Sequence, residues 1–189
     1  SVAKGVFNEN DIGAHPVSVA FAAVTLARQI FGSLDKRRIL LIGAGEMIEL
    51  TARHFYDQGM AGIQVANRNR SRAEAVAALC HGEALGLEDI GRALRQADIV
   101  ISCTASDTPI VARSTLAQAL TARRRQPIFV VDLAVPRDID PAAEDLADLY
   151  LYTVDDLRDV IDRGLRSRAD AADQAEHLVD EQAARFMDW

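Results

Sequence analysis

The sequence predicts an α/β fold, a doubly wound parallel sheet followed by one long C-terminal helix. Three observations predict it. Short, continuous apolar runs such as Ile39–Ile42, Ile99–Ser102 and Ile128–Asp132 read as strands buried on both faces, the condition of strands inside a parallel sheet. Stretches with helical spacing separate these runs, so strand and helix alternate. The first run also breaks abruptly into Gly43-Ala-Gly-Glu-Met-Ile48, the form of a strand that turns at once into a helix.

Taken in order, residues 1–13 are a polar leading segment. A helix over 16–31 follows, with Pro16 suited to its first turn. Ala20, Ala23, Val24, Ala27, Ile30 and Phe31 share one face, and Gly32 ends it. The first strand covers 39–42 and its helix 47–58, closed by Gly59. A second strand covers 63–66, and the next helix starts at Ser71, whose spacing to Glu74 fits a capping box. A short strand at 83–85, a helix over 87–96 and the strand 98–102 follow. A helix at 113–123 leads to the strand 127–132, and a last short strand lies at 149–152. These elements make one domain over 14–152, of the Rossmann type.

The tail over 153–189 differs in kind. Thr153 with Asp156 three residues on signals a helix start, and Leu157, Val160, Ile161, Leu165 and Val179 recur at helical spacing as far as Phe186. Such a helix is roughly 50 Å long at about 1.5 Å per residue. A helix longer than its domain cannot bury its whole stripe there, so a partner is expected, most simply the same helix of a second chain. The periodicity is still running at Trp189, which reads as a fragment of a longer protein.

Composition narrows the class. The 189 residues are 49% hydrophobic and 26% charged, values of a globular domain. Cys80 and Cys103 supply neither a disulfide framework nor metal spacing, which suits a reducing cytoplasm. The apolar stretch from Val17 to Ala27 is too short to span a bilayer. Net charge is −7, and from Asp155 onward ten acids face five arginines. That surface does not invite nucleic-acid phosphates, although Arg123-Arg124-Arg125 makes a local basic patch.

The turn at Gly43 carries the chemistry. Gly43 permits the tight turn, Gly45 removes the Cβ that would block a pyrophosphate, and a helix opening at about Glu46 offers unpaired N–H groups. The third glycine of the dinucleotide fingerprint is replaced by Ile48. The second strand ends in Asn67-Arg68-Asn69-Arg70-Ser71-Arg72, where an NAD site places a carboxylate for the ribose 2′-hydroxyl. Three arginines and no carboxylate favour a 2′-phosphate, hence NADP. Arg70 and Arg72 also suit a solvated helix start; Arg68 does so less. The loop Cys103–Pro109 holds small residues that let a nicotinamide ribose lie close. Cys103 itself has no His or basic neighbour in its loop to activate it, and reads as an inert packing residue. His15 reads as a cap, His54 and His177 as helix-surface groups, so no catalytic dyad and no metal site are expected.

Several strings together resemble the bacterial glutamyl-tRNA reductases: the opening Ser1–Phe31, Leu40–Leu50, Ala66–Ala73, Ala97–Ser106, Arg123–Pro141 and Leu149–Leu157. The resemblance spans essentially the whole chain. It implies an NADPH-dependent reduction of glutamate esterified to tRNA, giving glutamate-1-semialdehyde for tetrapyrrole synthesis, by a homodimer with a long spinal helix. It assigns Gly43, Ala44, Gly45, Glu46, Met47 and Ile48 to the nucleotide loop, and makes Ile48 ordinary there. Asn67 and Arg68 fall at the adenosine 2′-phosphate, where the arginine cluster adds Arg72 as a candidate, and Thr104, Ala105 and Ser106 fall near the nicotinamide half. The family's nucleophilic cysteine and glutamate-recognition residues belong to a domain preceding Ser1, and nothing here matches them. The resemblance therefore implies NADPH binding without catalysis by this chain alone, with glutamyl-tRNA held mainly outside it. Two other readings stand beside it: an NADP-dependent dehydrogenase of the shikimate-dehydrogenase-like type, and a non-catalytic NADP-binding or dimerisation module.

Overall fold

The computed structural model describes residues 15–187; the leading segment 1–13 and the last two residues lie outside the described residues, as does the side chain of Phe186. The elements are α1 (Pro16–Phe31), β1 (Arg38–Ile42), α2 (Glu46–Asp57), β2 (Gly62–Ala66), α3 (Arg70–Leu79), β3 (Glu83–Leu85), α4 (Ile90–Leu94) and β4 (Ile99–Ser102). They continue with α5 (Arg113–Ala122), β5 (Ile128–Asp132), β6 (Leu149–Thr153) and α6 (Val154–Met187). Short 3₁₀ turns at Leu87–Asp89 and Pro141–Asp145 precede α4 and β6.

The six strands form one sheet in the order β3-β2-β1-β4-β5-β6, parallel throughout. The chain winds outward from β1 to β3, then returns to β4 beside β1 and winds the other way. Because successive side chains of a strand point to opposite faces, the apolar runs divide between two cores. Ile39, Leu41, Ile63, Val65, Ile99, Ile101, Phe129 and Val131 pack under α1, α2 and α3. Leu40, Ile42, Val100, Ile128 and Val130 pack under α4 and α5. A strand in the middle of such a sheet has no solvent face, which is why the runs are apolar without alternation.

Two local features depart from the sequence reading. The third helix starts at Arg70, and its cap is Asn69, whose side chain accepts from the Arg72 N–H at 3.2 Å. Ser71, expected as the cap, instead donates its hydroxyl to Asn69 Oδ1 at 2.8 Å. Both Asn and Ser cap well, and Asn69 wins because its carbonyl oxygen reaches the N–H three residues on. The helix expected over 87–96 begins as a 3₁₀ turn and becomes α-helical only at Ile90.

The start of α6 follows the sequence closely. Asp156 Oδ2 accepts from the Thr153 N–H at 2.8 Å, and the Asp156 N–H donates to Thr153 Oγ1 at 3.4 Å, a reciprocal cap. Val154 and Leu157 are buried, with Val160 and Ile161 packed against the α1 side of the core. From Leu165 to Ala184 the helix is exposed on every side. Thr153→Ala is expected to lower stability by about 1 kcal/mol, seen as a lower urea midpoint with an unchanged slope.

Candidate dinucleotide-binding site

The carboxyl ends of β1, β2, β4 and β5 converge at the point where strand order reverses, the position where open parallel sheets bind ligands. Gly43 leaves β1 at φ +122°, a conformation that side chains rarely adopt. A Cβ there would collide with the Cys103 carbonyl oxygen, so Gly43 lets the ends of β1 and β4 close on each other. The Gly43 N–H donates to the Ala66 carbonyl and the Cys103 N–H to the Ile42 carbonyl, both at 2.9 Å. Gly45 is different: its φ is −87°, and a Cβ added to it would meet nothing within 4 Å. The chain itself has no need of a glycine there, and the space it leaves is open.

Gly45 caps α2 without any side-chain hydrogen bond. The first intrahelical bond is donated by the Glu49 N–H to the Gly45 carbonyl, so the N–H groups of Glu46, Met47 and Ile48 precede it. Met47 and Ile48 have side chains in the core; what they can offer a ligand is backbone N–H. Ala44 is half-buried and Glu46 exposed. Ile48 fills the space between α2 and β1, where the fingerprint's third glycine would allow close approach.

A cleft of about 280 Å³ opens beside this turn, lined by Asn67, Arg68, Arg72, Leu87, Thr104 and Ser106 among others. The structure thus brings the end of β2 and the loop after β4 into one wall-to-wall groove. Arg68 and Arg72 are both exposed. Ala105, also in the cleft lining, puts only a methyl group beside them. Arg70 does not join the cleft: it pairs with Glu74 at 3.5 Å. Leu87 and Ile110 add the apolar surface that a planar base requires, and nothing in their local sequence spacing marks them for it.

A buried polar network, which the spacing of the sequence does not reveal, holds the loop after β4. The Asp138 carboxylate is fully buried. It accepts from Ser102 Oγ at 2.7 Å, from the Thr104 N–H at 2.9 Å and from Thr104 Oγ1. Asp132, at the end of β5, accepts from the backbone N–H groups of Ala134, Asp138 and Ile139. Burial pushes the Asp132 carboxyl above its ordinary range, opposed by those three N–H donors. The two aspartates together tie the β5 loop to the β4 loop that walls the cleft.

Neither cysteine is in a disulfide. Cys80 is buried against α3 carbonyls, and burial raises its thiol pKa. Cys103 is half-buried and packs against the core. His15 caps α1 through Nδ1, which accepts from the Val17 N–H at 3.3 Å. Among the described residues no group of His, Cys, Asp and Glu is arranged to hold a metal ion, and no helix is long and apolar enough to cross a membrane.

Fold and cleft together define a dinucleotide-binding domain of the dehydrogenase type. The chain belongs to the shikimate / quinate 5-dehydrogenase family, whose profile matches residues 25–160. Over its whole length it is similar to curated proteins named glutamyl-tRNA reductase, 52% identical to that of Halorhodospira halophila and 54% to that of Alkalilimnicola ehrlichii. It spans 42% of the length of each. Among solved structures, glutamyl-tRNA reductase from Methanopyrus kandleri superposes with a TM-score of 0.78 at 36% identity, over 87% of this chain and 42% of that one. The nucleotide binding domain of glutamyl-tRNA reductase from Thermoplasma volcanium shares the fold, with a TM-score of 0.62 at 24% identity over 80% of this chain and 96% of that one.

Proposed function

We propose that this chain is the NADPH-holding portion of a glutamyl-tRNA reductase, with residues 14–152 as the cofactor domain and 153–189 as a dimerisation helix. The observation that carries the reading is the cleft itself. Its β2 end has Arg68 and Arg72 and no carboxylate, and the Gly43 turn that leads to the uncapped α2 lies between the ends of β2 and β4 that carry its two walls. The residues fit the cofactor. The N–H groups of Glu46, Met47 and Ile48 meet a pyrophosphate across the open space at Gly45. Arg68 and Arg72, with Asn67, meet a 2′-phosphate. Leu87 and Ile110 would offer apolar surface to the adenine, and Thr104, Ala105 and Ser106 would line the same cleft. Bound there, NADPH would supply a hydride, and this chain would orient it.

Glutamyl-tRNA is then the substrate of the whole enzyme, whose product is glutamate-1-semialdehyde for tetrapyrrole synthesis. The exposed apolar side chains Leu165, Leu178 and Val179 on α6 support pairing with a second copy. Two cysteines outside any disulfide suit a reducing cytoplasm. A second reading, a related NADP-dependent dehydrogenase, is favoured by the shared family profile; identity above 50% along the whole chain favours the first.

The test is a titration with NADPH and NADH of the chain and of Arg68→Ala. NADPH is expected to bind well and NADH poorly. The variant is expected to lose roughly tenfold or more in NADPH affinity, the worth of a charged hydrogen bond, while NADH is unaffected. Equal binding of both nucleotides by the parent chain would sink the NADP assignment. Semialdehyde formed from charged tRNA by this chain alone would sink the division of labour.

A further inference from the structure

At the end of the sheet opposite the cleft, the strands begin in a collar that is mostly cationic, with the exposed acids Asp35 and Asp148 also there. Arg123 is nearly buried there. Its guanidinium meets Asp98 Oδ1 at 2.7 Å and donates to the Pro127 carbonyl at 3.0 Å and the Gln126 carbonyl at 3.2 Å. Asp98 in turn accepts from the Arg38 N–H at 3.1 Å. On this end of the sheet lie Lys36, Arg37, Arg95, Arg124 and Arg125, all exposed except Arg37, which is half-buried, while the Arg38 side chain runs over Gly62 and lines a pocket with Gln64 and Glu83. Among the described residues, Arg38, Arg95, Arg124 and Arg125 form no ion pair. β1, β4 and β5 are adjacent strands spaced about 4.8 Å apart, so the cations lie within about one Debye length and act as one field.

The ordinary explanation is that basic groups complement the C-terminal ends of α4 and α5. That does not account for Arg124 and Arg125, since the Arg123 guanidinium is spent on Asp98 and on the Arg95, Gln126 and Pro127 carbonyls. The next two residues make a Schellman closure: the Arg124 N–H donates to Thr121 O at 3.1 Å and the Arg125 N–H to Leu120 O at 2.9 Å. They adopt φ of +56° and +65°. Glycine suits the first of these positions, and two consecutive arginines in the left-handed region are strained. The chain keeps two long cations where the backbone favours none, next to Arg123, which donates to the Arg95 carbonyl at 3.4 Å.

We propose that this collar is a docking surface for the sugar-phosphate backbone of RNA, holding the body of the tRNA whose charged end reacts elsewhere. The proposal rests on the reading of the chain as part of a glutamyl-tRNA reductase. RNA fits because the collar is a spread of guanidinium groups without an apolar centre, which suits phosphates. The strands separate it from the nucleotide cleft by about 17 Å, so RNA and NADPH do not compete.

The experiment compares the chain with Arg124→Gly/Arg125→Gly, using an uncharged tRNA transcript across a salt series, with NADPH binding and thermal melting measured on both. The expected result is salt-dependent tRNA binding by the parent and at least roughly tenfold weaker binding by the variant. Its salt slope should be shallower by about two. The variant should melt no lower, since glycine relieves both positions, and should bind NADPH as before. The proposal is overturned if the variant binds tRNA like the parent, or if the parent binds none at low salt. It is also overturned if polyglutamate displaces the tRNA as well as unlabelled tRNA does, which would point to an acidic protein. Failure of the parent to bind NADPH would sink the cofactor reading alone, because the tRNA comparison is scored separately.

Discussion

Gly43→Ala is expected to destroy nucleotide binding and to cost the fold about 2–6 kcal/mol, from backbone strain and overpacking of about 1–3 kcal/mol each. The residue sits at φ +122°, and an added methyl group would run into the Cys103 carbonyl oxygen and come within 3.2 Å of Ile48 Cγ1. Neither neighbour can retreat. Cys103 is held by its own bond to the Ile42 carbonyl, and Ile48 is locked in the core. The comparison that gives the result its meaning is Gly45→Ala. Its methyl group meets no protein atom, so urea denaturation should show stability close to the parent while NADPH affinity falls. If Gly45→Ala bound NADPH as well as the parent, the open space there would not be the pyrophosphate's approach.

Asp138→Ala should be nearly as severe, by another route. The substitution strips acceptors from Ser102 Oγ, the Thr104 N–H and Thr104 Oγ1. Orphaned buried donors cost about 1–3 kcal/mol each, so unfolding is expected at markedly lower urea. In whatever remains folded, the loop of Thr104–Ser106 loses its anchor, and NADPH should bind weakly. Asp138→Asn keeps one oxygen acceptor and should sit between parent and Ala on both measurements. Parent-like NADPH affinity in a folded Asp138→Ala protein would show that the clamp serves stability alone.

The sequence was explicit wherever a rule is local. The run into Gly43 and Gly45, the Thr153–Asp156 cap and the division of strands by short turns depend on residues a few positions apart, and each appears where it was expected. The cap of α3 was misplaced by two residues because Asn69 and Ser71 are both good caps and only their geometry decides. The Asp132–Asp138 network was invisible for a different reason. The partners of Asp138 lie 34 to 36 residues away, across a strand pairing that no spacing encodes. The nearest signal was a pair of aspartates bracketing a loop straight after an apolar strand, where an unpaired charge would be costly. Likewise, the Arg123–Arg125 string announced a basic patch. It did not say that Arg123 would turn inward to Asp98, or that it would reach the Arg95 carbonyl.

The long helix turns the domain into a lever. Its fulcrum is the short stretch from Val154 to Ile161, seated on the core, and beyond it Asp162–Met187 reach about 39 Å into solvent at ~1.5 Å per residue. A tilt of ~10° at the seat, the scale of a shifted side chain or two, sweeps the far end through about 7 Å. Small changes of packing at the base of the sheet are therefore magnified severalfold wherever the helix tip is held. Conversely, a fixed tip restrains the nucleotide domain to a narrow arc of orientations.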